Sequence, residues 1–291
     1  MSIVETAISK TKQDARFARG DKPAETPLSS KRSADLAAAV ASLPLLELSI
    51  ERLRHAGIAP PAADERRLMA EYRAIKRSVL APLSQRTATP LVRGNVIMVA
   101  SALPGEGKTF TSFNLAMSMA TERDWTTVLV DADCTRQYLT ASVGLSGQPG
   151  LLDVLSDPGR SLSEVTYRTS IPGLLYVPAG SSSANATELM ASDRMAGVVH
   201  DLLRLNPRTI LIFDSSPILP TPESRALADA TGQIVLVVKA DETARSDVKA
   251  ALDMLGPGHT VGVVLNQFQG SAPLAEYYGA DVAKVDSKPS T

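Results

Sequence analysis

Cysteine is almost absent from this sequence, since Cys134 is the only one in 291 residues. A single thiol excludes an intrachain disulfide and any zinc site built from paired cysteines. Histidine is also sparse, because only His55, His200 and His259 occur and they lie far apart, so a histidine metal site is not indicated. Aromatic residues make up 4% of the chain, and the hydrophobic content of 44% therefore predicts a core packed mainly by aliphatic side chains.

Long apolar segments are missing as well. No run approaches the ~20 residues that a membrane-spanning helix needs, and the first residues lack the basic and then apolar order of a secretory signal. These absences predict a cytoplasmic protein that reaches a membrane only through a partner. The formal net charge is -1, with basic residues in excess near the amino terminus and acidic residues in excess after it. A basic arm can contact nucleic acid or an anionic membrane, but charge alone favours a solvated segment, and no nucleic-acid partner is expected.

Composition and pattern divide the chain into four parts. These are an amino-terminal arm and flexible linker (1–44), a helical extension (45–90), a main domain (91–270) and a carboxyl-terminal tail (271–291). Within the extension, apolar side chains at helical spacing predict a helix at about 64–80. The tail contains two adjacent tyrosines, Tyr277 and Tyr278.

In the main domain, short aliphatic runs alternate with helical stretches. Near-continuous apolar strands separated by helices are typical of a parallel sheet that is covered on both faces. In such sheets, ligands bind at the carboxyl ends of the strands. The predicted strands are 95–101, 126–133, 174–180, 209–215, 233–240 and 259–266.

The first of these strands leads into ALPGEGKT, which spans Ala102–Thr109. Gly105 and Gly107 allow backbone N–H groups to turn inward around a phosphate, and a helix that begins at about Lys108 directs its positive end to the same anion. The pattern predicts a P-loop in which Lys108 contacts the β- and γ-phosphates of ATP and the Thr109 hydroxyl binds Mg²⁺. The usual first glycine is Ala102 here, but the strand–loop–helix context favours a P-loop over an ordinary glycine-rich turn. The loop residues predicted to bind nucleotide are Pro104, Gly105, Glu106, Gly107, Lys108, Thr109 and Phe110.

Acidic residues end two other strands. Asp131 and Asp133 follow one strand in DxD spacing, and Asp214 follows another. Beside a P-loop, such carboxylates can bind Mg²⁺, directly or through water, or accept a proton, and Arg136 can neutralise them or contact phosphate. Solvated loop acids are the alternative for the DxD pair. The P-loop and the two acidic strand ends, in one sheet, predict an α/β fold of the P-loop NTPase class. This fold has a mostly parallel sheet and helices on both faces, and here it carries an amino-terminal helical extension.

Together, PGEGKT, the DxD strand end and the strand end Phe213–Pro217 resemble the bacterial tyrosine kinases, a P-loop family. NATELMASDRM at 185–195 and GVVLN at 262–266 are similar to further family motifs. The opening MSIVETAISK and the segment 48–77 resemble one subgroup, the tyrosine autokinases of exopolysaccharide loci that also encode an exosortase-type enzyme. Leu103 stands where septum-site and partition ATPases have a signature lysine, which argues against those classes.

The resemblance implies that the γ-phosphate of ATP passes to tyrosines in a carboxyl-terminal tail, typically that of a neighbouring subunit. Tyr277 and Tyr278 would then be the autophosphorylation sites. A tyrosine hydroxyl with a pKa of ~10 needs a proton acceptor, and the resemblance assigns this role to Asp131. The implied catalytic residues are Lys108, Asp131, Asp133 and Asp214.

The resemblance also implies how metal and nucleotide are held. The expected contacts to Mg²⁺ are Thr109, Asp131 and Asp214, with Asp133 shaping the site. Arg136 would contact the nucleotide. Asn266 would contact the base, unless it is only a turn residue at a strand end.

The chain departs from the family pattern in three places. The tail has only Tyr277 and Tyr278, where the family usually has a longer cluster, so aromatic residues that pack a loop are the alternative. The family's D-[ST]-P-P is Asp-Ser-Ser-Pro at 214–217 here, which is expected to alter loop stiffness rather than metal binding. A family helix with E-x-x-R-x-x-R joins subunits into a ring, and the aligned residues here are Ala70, Arg73 and Lys76, with Glu71 displaced by one position.

These features predict an ATP-dependent protein-tyrosine autokinase that regulates exopolysaccharide synthesis or export. The expected partner is the cytoplasmic segment of a membrane polysaccharide co-polymerase, which would hold the protein at the inner membrane. A homo-oligomer is expected, with a ring as one form. The short tyrosine tail keeps open an ATP-hydrolysing assembly switch without tyrosine kinase activity. A scaffold that binds nucleotide without turnover is a further alternative, against which the intact Lys108, Thr109 and Asp131 argue.

Overall fold

The computed structural model of this chain describes residues 38–83, 93–206 and 208–268. Most of the predicted arm and linker, and the predicted tail with Tyr277 and Tyr278, lie outside the described residues. The predictions made for those segments therefore stay predictions.

The described residues form one eight-stranded sheet in the order β1-β4-β5-β3-β6-β2-β7-β8. Neighbouring strands run parallel, except that β4 is antiparallel to β5. All six predicted strands are present, and the mostly parallel α/β prediction is confirmed. The short strands β1 and β4 were not predicted. The strands are β1 (Leu45–Leu46), β2 (Val96–Ser101), β3 (Thr126–Ala132), β4 (Tyr167–Thr169), β5 (Leu174–Val177), β6 (Thr209–Ser215), β7 (Gln233–Lys239) and β8 (Thr260–Asn266).

Helices cover both faces of the sheet. Alternate residues of the buried strands point to opposite faces, so that Ile97 packs into one hydrophobic cluster, with residues of α1–α4, and Met98 into the other, with residues of α5–α9. Among the described helices, none combines the length and apolarity required to cross a bilayer. The α-helices are α1 (Ile50–His55), α2 (Glu65–Leu80), α3 (Lys108–Met119), α4 (Tyr138–Ser142), α5 (Leu151–Ser156), α6 (Ala186–Met190), α7 (Asp193–Leu203), α8 (Pro222–Ala228) and α9 (Arg245–Leu255).

Helix α2, which matches the helix predicted at about 64–80, packs along α3. The Lys76 ammonium donates to the Ser118 carbonyl at 3.1 Å, near the carboxyl end of α3, and pairs with the Glu122 carboxylate at 2.7 Å. A cation at the end of a helix complements the helix dipole. The Lys76 side chain is only 9% exposed, so this position of the expected ring motif is bound within its own chain. Arg73, one turn earlier on α2, is exposed, and ring assembly stays a prediction.

Candidate nucleotide site

The predicted P-loop joins β2 to α3 at the centre of the sheet. Helix α3 begins at Lys108, as expected, and Gly107 is its amino-terminal cap. Gly105 and Gly107 have φ values of +82° and +96°, a backbone region that only glycine adopts readily. The first N–H groups of α3 are free of helical partners and can bind an anion.

Two neighbouring strand ends hold this loop in shape through Glu106. The Glu106 carboxylate accepts a hydrogen bond from the Leu103 N–H at 2.7 Å. It accepts another from the hydroxyl of Thr243, a residue that follows β7. The Asn266 side-chain amide, at the end of β8, donates to the Glu106 carbonyl at 2.9 Å. Glu106 is buried, so any contact that it makes with phosphate must come from its backbone. The expected contact of Asn266 with a base stays a prediction.

The strands that end in acidic residues lie directly beside the P-loop strand. Because β3 pairs with β6 and β6 with β2, Asp131 lies in register with Asp214 next to the phosphate loop. The structure therefore brings together the three strand ends that the sequence singles out, as expected for the carboxyl edge of a parallel sheet.

Asp214 is a buried carboxylate with unused hydrogen-bonding capacity. Within the described residues, neither of its oxygens has a hydrogen bond of ordinary geometry, although the Thr109 hydroxyl lies near enough to act on its pKa. Burial, followed by the charge of Asp131, raises the pKa of Asp214 to about 8, whereas the Thr109 hydroxyl and the Lys108 ammonium act in the opposite direction. Burial also lowers the pKa of Lys108 against the attraction of Asp214 and Asp133. An orphaned carboxylate of this kind fits a site completed by a hydrated cation.

The donor set suits Mg²⁺ that is shared with a nucleotide. Within the described residues, no group of three or more His, Cys, Asp or Glu side chains could hold a metal by itself. Mg²⁺ usually keeps several waters and binds through one or two carboxylates together with substrate phosphates. Thr109 and Asp214 offer that arrangement beside the loop.

Asp131 is fully buried and its carboxylate is held on both oxygens. One oxygen accepts the Asp133 N–H at 3.1 Å, and the other accepts the Thr140 N–H at 2.9 Å and the Thr140 hydroxyl at 2.6 Å. Burial raises the pKa of Asp131 to about 6, and the hydrogen bonds from Thr140 oppose that change. The Thr140 hydroxyl also lies 3.0 Å from the buried hydroxyl of Tyr176.

Asp133 connects the end of β3 to the loop that follows β6. Its Oδ1 accepts the Ser216 hydroxyl at 2.7 Å and the Arg136 N–H at 3.1 Å. Ser216 stands at the position that distinguishes this chain from the expected D-[ST]-P-P, where the family has the first proline. The departure from the family pattern therefore makes a direct contact with the DxD pair.

A pocket of about 330 Å³ lies over the P-loop, on the side of β3. Asp133 reaches this pocket, whereas Asp131, Asp214 and Asn266 do not line it. Predicted site residues make up most of the lining, namely Pro104, Gly105, Gly107, Lys108, Thr109, Phe110, Asp133 and Arg136. The lining residues that were not predicted from the sequence are Gly57, Ile58, Tyr138 and Pro217. Of these, only Pro217 and Tyr138 could have been suspected from the sequence, because each lies within five residues of a predicted site residue.

Comparison with known proteins finds relatives with tyrosine-protein kinase names, although no family model matches the chain. EpsB of Ralstonia nicotianae, which is named as a tyrosine-protein kinase, is 32% identical to this chain over 174 residues. These residues are 59% of this chain and 23% of EpsB. The tyrosine-protein kinase CpsD of Streptococcus agalactiae is 27% identical over 187 residues, which are 63% of this chain and 80% of CpsD.

The crystal structure of the VpsO kinase domain aligns with a TM-score of 0.58 and 28% sequence identity, covering 72% of this chain and 100% of that domain. The chain thus matches less than a quarter of the length of EpsB but all of an isolated kinase domain. The sequence motifs, the strand ends around the P-loop and these similarities agree, and they make the chain similar to the bacterial tyrosine kinases over its main domain.

Proposed function

We propose that this protein is an ATP-dependent protein-tyrosine autokinase that regulates the synthesis or export of an exopolysaccharide. One observation carries the proposal. The pocket over the P-loop is lined by Lys108 and Thr109 together with Asp133 and Arg136. Phosphate-binding groups and one residue of the DxD pair thus share one space, an arrangement that supports transfer of a phosphoryl group to a hydroxyl.

The nucleotide and its metal are assigned to groups of this chain. The backbone of the P-loop and the Lys108 ammonium would bind the β- and γ-phosphates, and Thr109 and Asp214 would hold Mg²⁺. Bound Mg²⁺ supplies positive charge that offsets the charge of the phosphates. Arg136, which lines the same pocket, adds a second cation on the side from which an acceptor must approach.

The acceptor tyrosine must lose its proton to a carboxylate. The resemblance assigns this role to Asp131, and a pKa of about 6 lies near the value that suits a general base at neutral pH. Asp133 competes for the role, because Asp133 lines the pocket whereas Asp131 is fully buried and bonded to Thr140. We retain Asp131 as the proposed proton acceptor, and substitution of each residue in turn distinguishes the roles of Asp131 and Asp133.

The proposed acceptors are Tyr277 and Tyr278 of the tail, in a neighbouring subunit. The proposed partner is the cytoplasmic segment of a membrane polysaccharide co-polymerase, which would hold the protein at the inner membrane and activate it. The tyrosine-kinase names of the relatives EpsB and CpsD support the activity. The resemblance to kinases of exopolysaccharide loci supports the biological role.

A nucleotide-operated assembly switch remains the second candidate. It would use the same P-loop and carboxylates to hydrolyse ATP, with water in place of the tyrosine hydroxyl. The short tyrosine tail favours it, whereas the arrangement of the pocket is compatible with both reactions.

Labelled ATP separates these functions. The purified protein is incubated with γ-labelled ATP and Mg²⁺, with and without the cytoplasmic segment of the partner, and phosphorylated residues are mapped by mass spectrometry. The kinase predicts label on Tyr277 or Tyr278 that disappears in Lys108→Met. Lys249→Met, which removes an exposed lysine of α9, is the matched control and should keep the label.

The other outcomes identify the alternatives. Release of ADP and phosphate without tyrosine label would reject the kinase in favour of the switch. Nucleotide binding without either product would indicate a scaffold. Label that persists in Lys108→Met would show that the phosphoryl transfer does not use this P-loop.

A further inference from the structure

Part of the lining of the pocket comes from a distant part of the sequence. Gly57 and Ile58 line the pocket together with Gly105, Lys108 and Asp133. They belong to the loop Ala56–Ala59, which follows α1 in the helical extension. The extension is therefore in direct contact with the space that the phosphates and the acceptor would occupy.

A buried amide fixes this loop to the P-loop helix. Asn114 lies in α3 and is completely buried. Its Nδ2 donates to the Ile58 carbonyl at 2.8 Å and to the Phe110 carbonyl at 2.7 Å. Both amide hydrogens are thus used, and one of them joins the extension to the helix that begins at Lys108. A lost hydrogen bond would leave the buried Ile58 carbonyl unsatisfied, which is costly.

A second bond, from another element, holds the same loop. The Tyr138 hydroxyl, at the start of α4, donates to the Ala56 carbonyl at 2.7 Å. Within the loop, the N–H groups of Ile58 and Ala59 both donate to the Leu53 carbonyl, at 2.8 and 3.1 Å. The Ile58 side chain is 1% exposed and packs into the same hydrophobic cluster as Leu53. The loop is accordingly anchored at both flanks and has a defined position.

The position of the loop identifies the side of the site that it controls. Thr243 and Asn266 approach the P-loop from the β7–β8 side, whereas Asp133, Arg136 and Tyr138 follow β3 on the other side. The loop is bonded to Tyr138 and so belongs to the β3 side. An acceptor hydroxyl has to reach the carboxylates of β3, and the loop Ala56–Ala59 lines the pocket that Asp133 also lines.

We propose that Asn114 is a positioning residue for the acceptor, because it holds the loop Ala56–Ala59 as the wall that guides a tyrosine toward the carboxylates of β3. The proposal rests on the proposed kinase function and adds the residue that shapes its acceptor side. Asn114 itself touches neither nucleotide nor acceptor. Its effect passes through Ile58, so a variant should weaken acceptor binding more than nucleotide binding.

The test compares Asn114→Leu, Tyr138→Phe and Asn95→Leu with the parent protein. Asn95 is the matched control, because its amide also donates to a backbone carbonyl, that of Thr209 at 2.9 Å, but at the opposite end of the strands. The acceptor is a synthetic peptide with the sequence of residues 270–285. KM and kcat for the peptide, the Kd of an ATP analogue, and hydrogen exchange at Ile58 and Ala59 are measured for each protein.

The proposal predicts that Asn114→Leu raises KM for the peptide about tenfold, with the Kd of the ATP analogue changed by less than about twofold. Tyr138→Phe, which removes one hydroxyl from a half-exposed side chain, should change KM in the same direction. Exchange at Ile58 and Ala59 should accelerate in Asn114→Leu and stay unchanged in Asn95→Leu. The control should keep the KM of the parent.

Four results would overturn the proposal. Unchanged exchange in Asn114→Leu means that the amide does not hold the loop, whatever the activity. Faster exchange with unchanged KM means that the loop is held but does not guide the acceptor. An equal rise of KM in Asn95→Leu attributes the effect to general destabilisation. A parent protein that transfers no phosphate to tyrosine rejects the proposed function and the guidance of an acceptor, while the exchange experiment still decides whether Asn114 anchors the loop.

Discussion

The side-chain amide of Asn266 occupies the space that a Cβ atom on Gly107 would need. The same amide donates to the carbonyl of the preceding residue, Glu106. The end of β8 therefore braces the point at which the P-loop becomes helix α3. A glycine is required at 107 for two separate reasons, the positive φ angle and this close approach.

Substitution of Gly107 should thus do more damage than substitution of Gly105. Both have positive φ angles, but a Cβ on Gly105 would meet nothing within 4 Å. Gly105→Ala is expected to lower the free energy of unfolding by about 1–2 kcal/mol through backbone strain alone. Gly107→Ala should lower it further and weaken nucleotide binding, as measured by urea unfolding and by titration with an ATP analogue.

A double substitution checks the cause of the difference. Asn266→Ala removes the amide that a new Cβ would meet, so Gly107→Ala should be less harmful in that background than in the parent. Equal effects of Gly105→Ala and Gly107→Ala would contradict the bracing role of Asn266.

The buried Asp214 predicts a pH dependence of stability. Its pKa is raised from 3.8 to about 8 in the folded protein, so the folded state keeps a proton that the unfolded state releases. Without metal and nucleotide, the free energy of unfolding should therefore fall as the pH rises from about 4 to 8. Asp131, with a pKa raised to about 6, contributes to the same trend.

Asp214→Asn removes the titrating group and should make the unfolding free energy less dependent on pH. The free energy of unfolding of the variant should exceed that of the parent by an amount that grows toward pH 8, as measured by urea unfolding with EDTA present. Asp201→Asn, at an exposed position of α7, should keep the pH dependence of the parent. A parallel shift of Asp214→Asn at all pH values would show that the carboxyl group does not titrate in this range.

Kinetic measurements can distinguish the roles of the two carboxylates of the DxD pair. If Asp131 accepts the tyrosine proton, Asp131→Asn should lower kcat by about 100-fold or more and leave the Kd of an ATP analogue within about twofold of the parent value. Asp133→Asn should then retain much more activity. The reverse order of the two variants would transfer the role to Asp133, and loss of analogue binding in Asp131→Asn would assign Asp131 to the nucleotide site.

Lys76 and Arg73 should behave differently although both belong to the expected ring motif. Lys76→Met removes the buried ammonium that pairs with Glu122 and leaves the Ser118 carbonyl with the Thr121 hydroxyl as its one side-chain donor, so it should lower the free energy of unfolding by about 1–3 kcal/mol. Arg73→Met, at an exposed position, should change it by no more than about 0.5 kcal/mol. Urea unfolding measures stability, and light scattering measures the oligomer. Only Arg73 is expected to affect the oligomer, so a stable Lys76→Met with altered assembly would contradict the intrachain role of Lys76.

The fold and the phosphate loop are readable from the sequence because their signals are local. A buried strand, a glycine-rich turn and a helix start follow one another between Val96 and Met119, and each parallel strand shows its own apolar run. The two unpredicted strands have only two and three residues. Such segments are too short to show a period, and they become strands only because a neighbouring strand supplies hydrogen-bond partners.

The rest of the site depends on contacts between distant residues. The bond from Ser216 to Asp133 joins positions 83 residues apart, and the bond from Asn114 to Ile58 joins positions 56 residues apart. No periodicity or motif specifies which loop will face a pocket. For the same reason, the sequence could place Glu106 in the P-loop but could not show that its side chain turns inward toward Thr243.

The helical extension packs against helix α3, and this contact determines where a shorter fragment of the protein can begin. Ile58 is tied to α3 at Asn114, Lys76 is tied to it at Ser118, and Leu53 and Tyr72 share a core with the sheet. A recombinant protein that starts at the predicted boundary of the main domain, residue 91, would expose this core and lose one wall of the pocket. The shortest autonomous folding unit should therefore begin before Leu43, the first buried residue of the described chain.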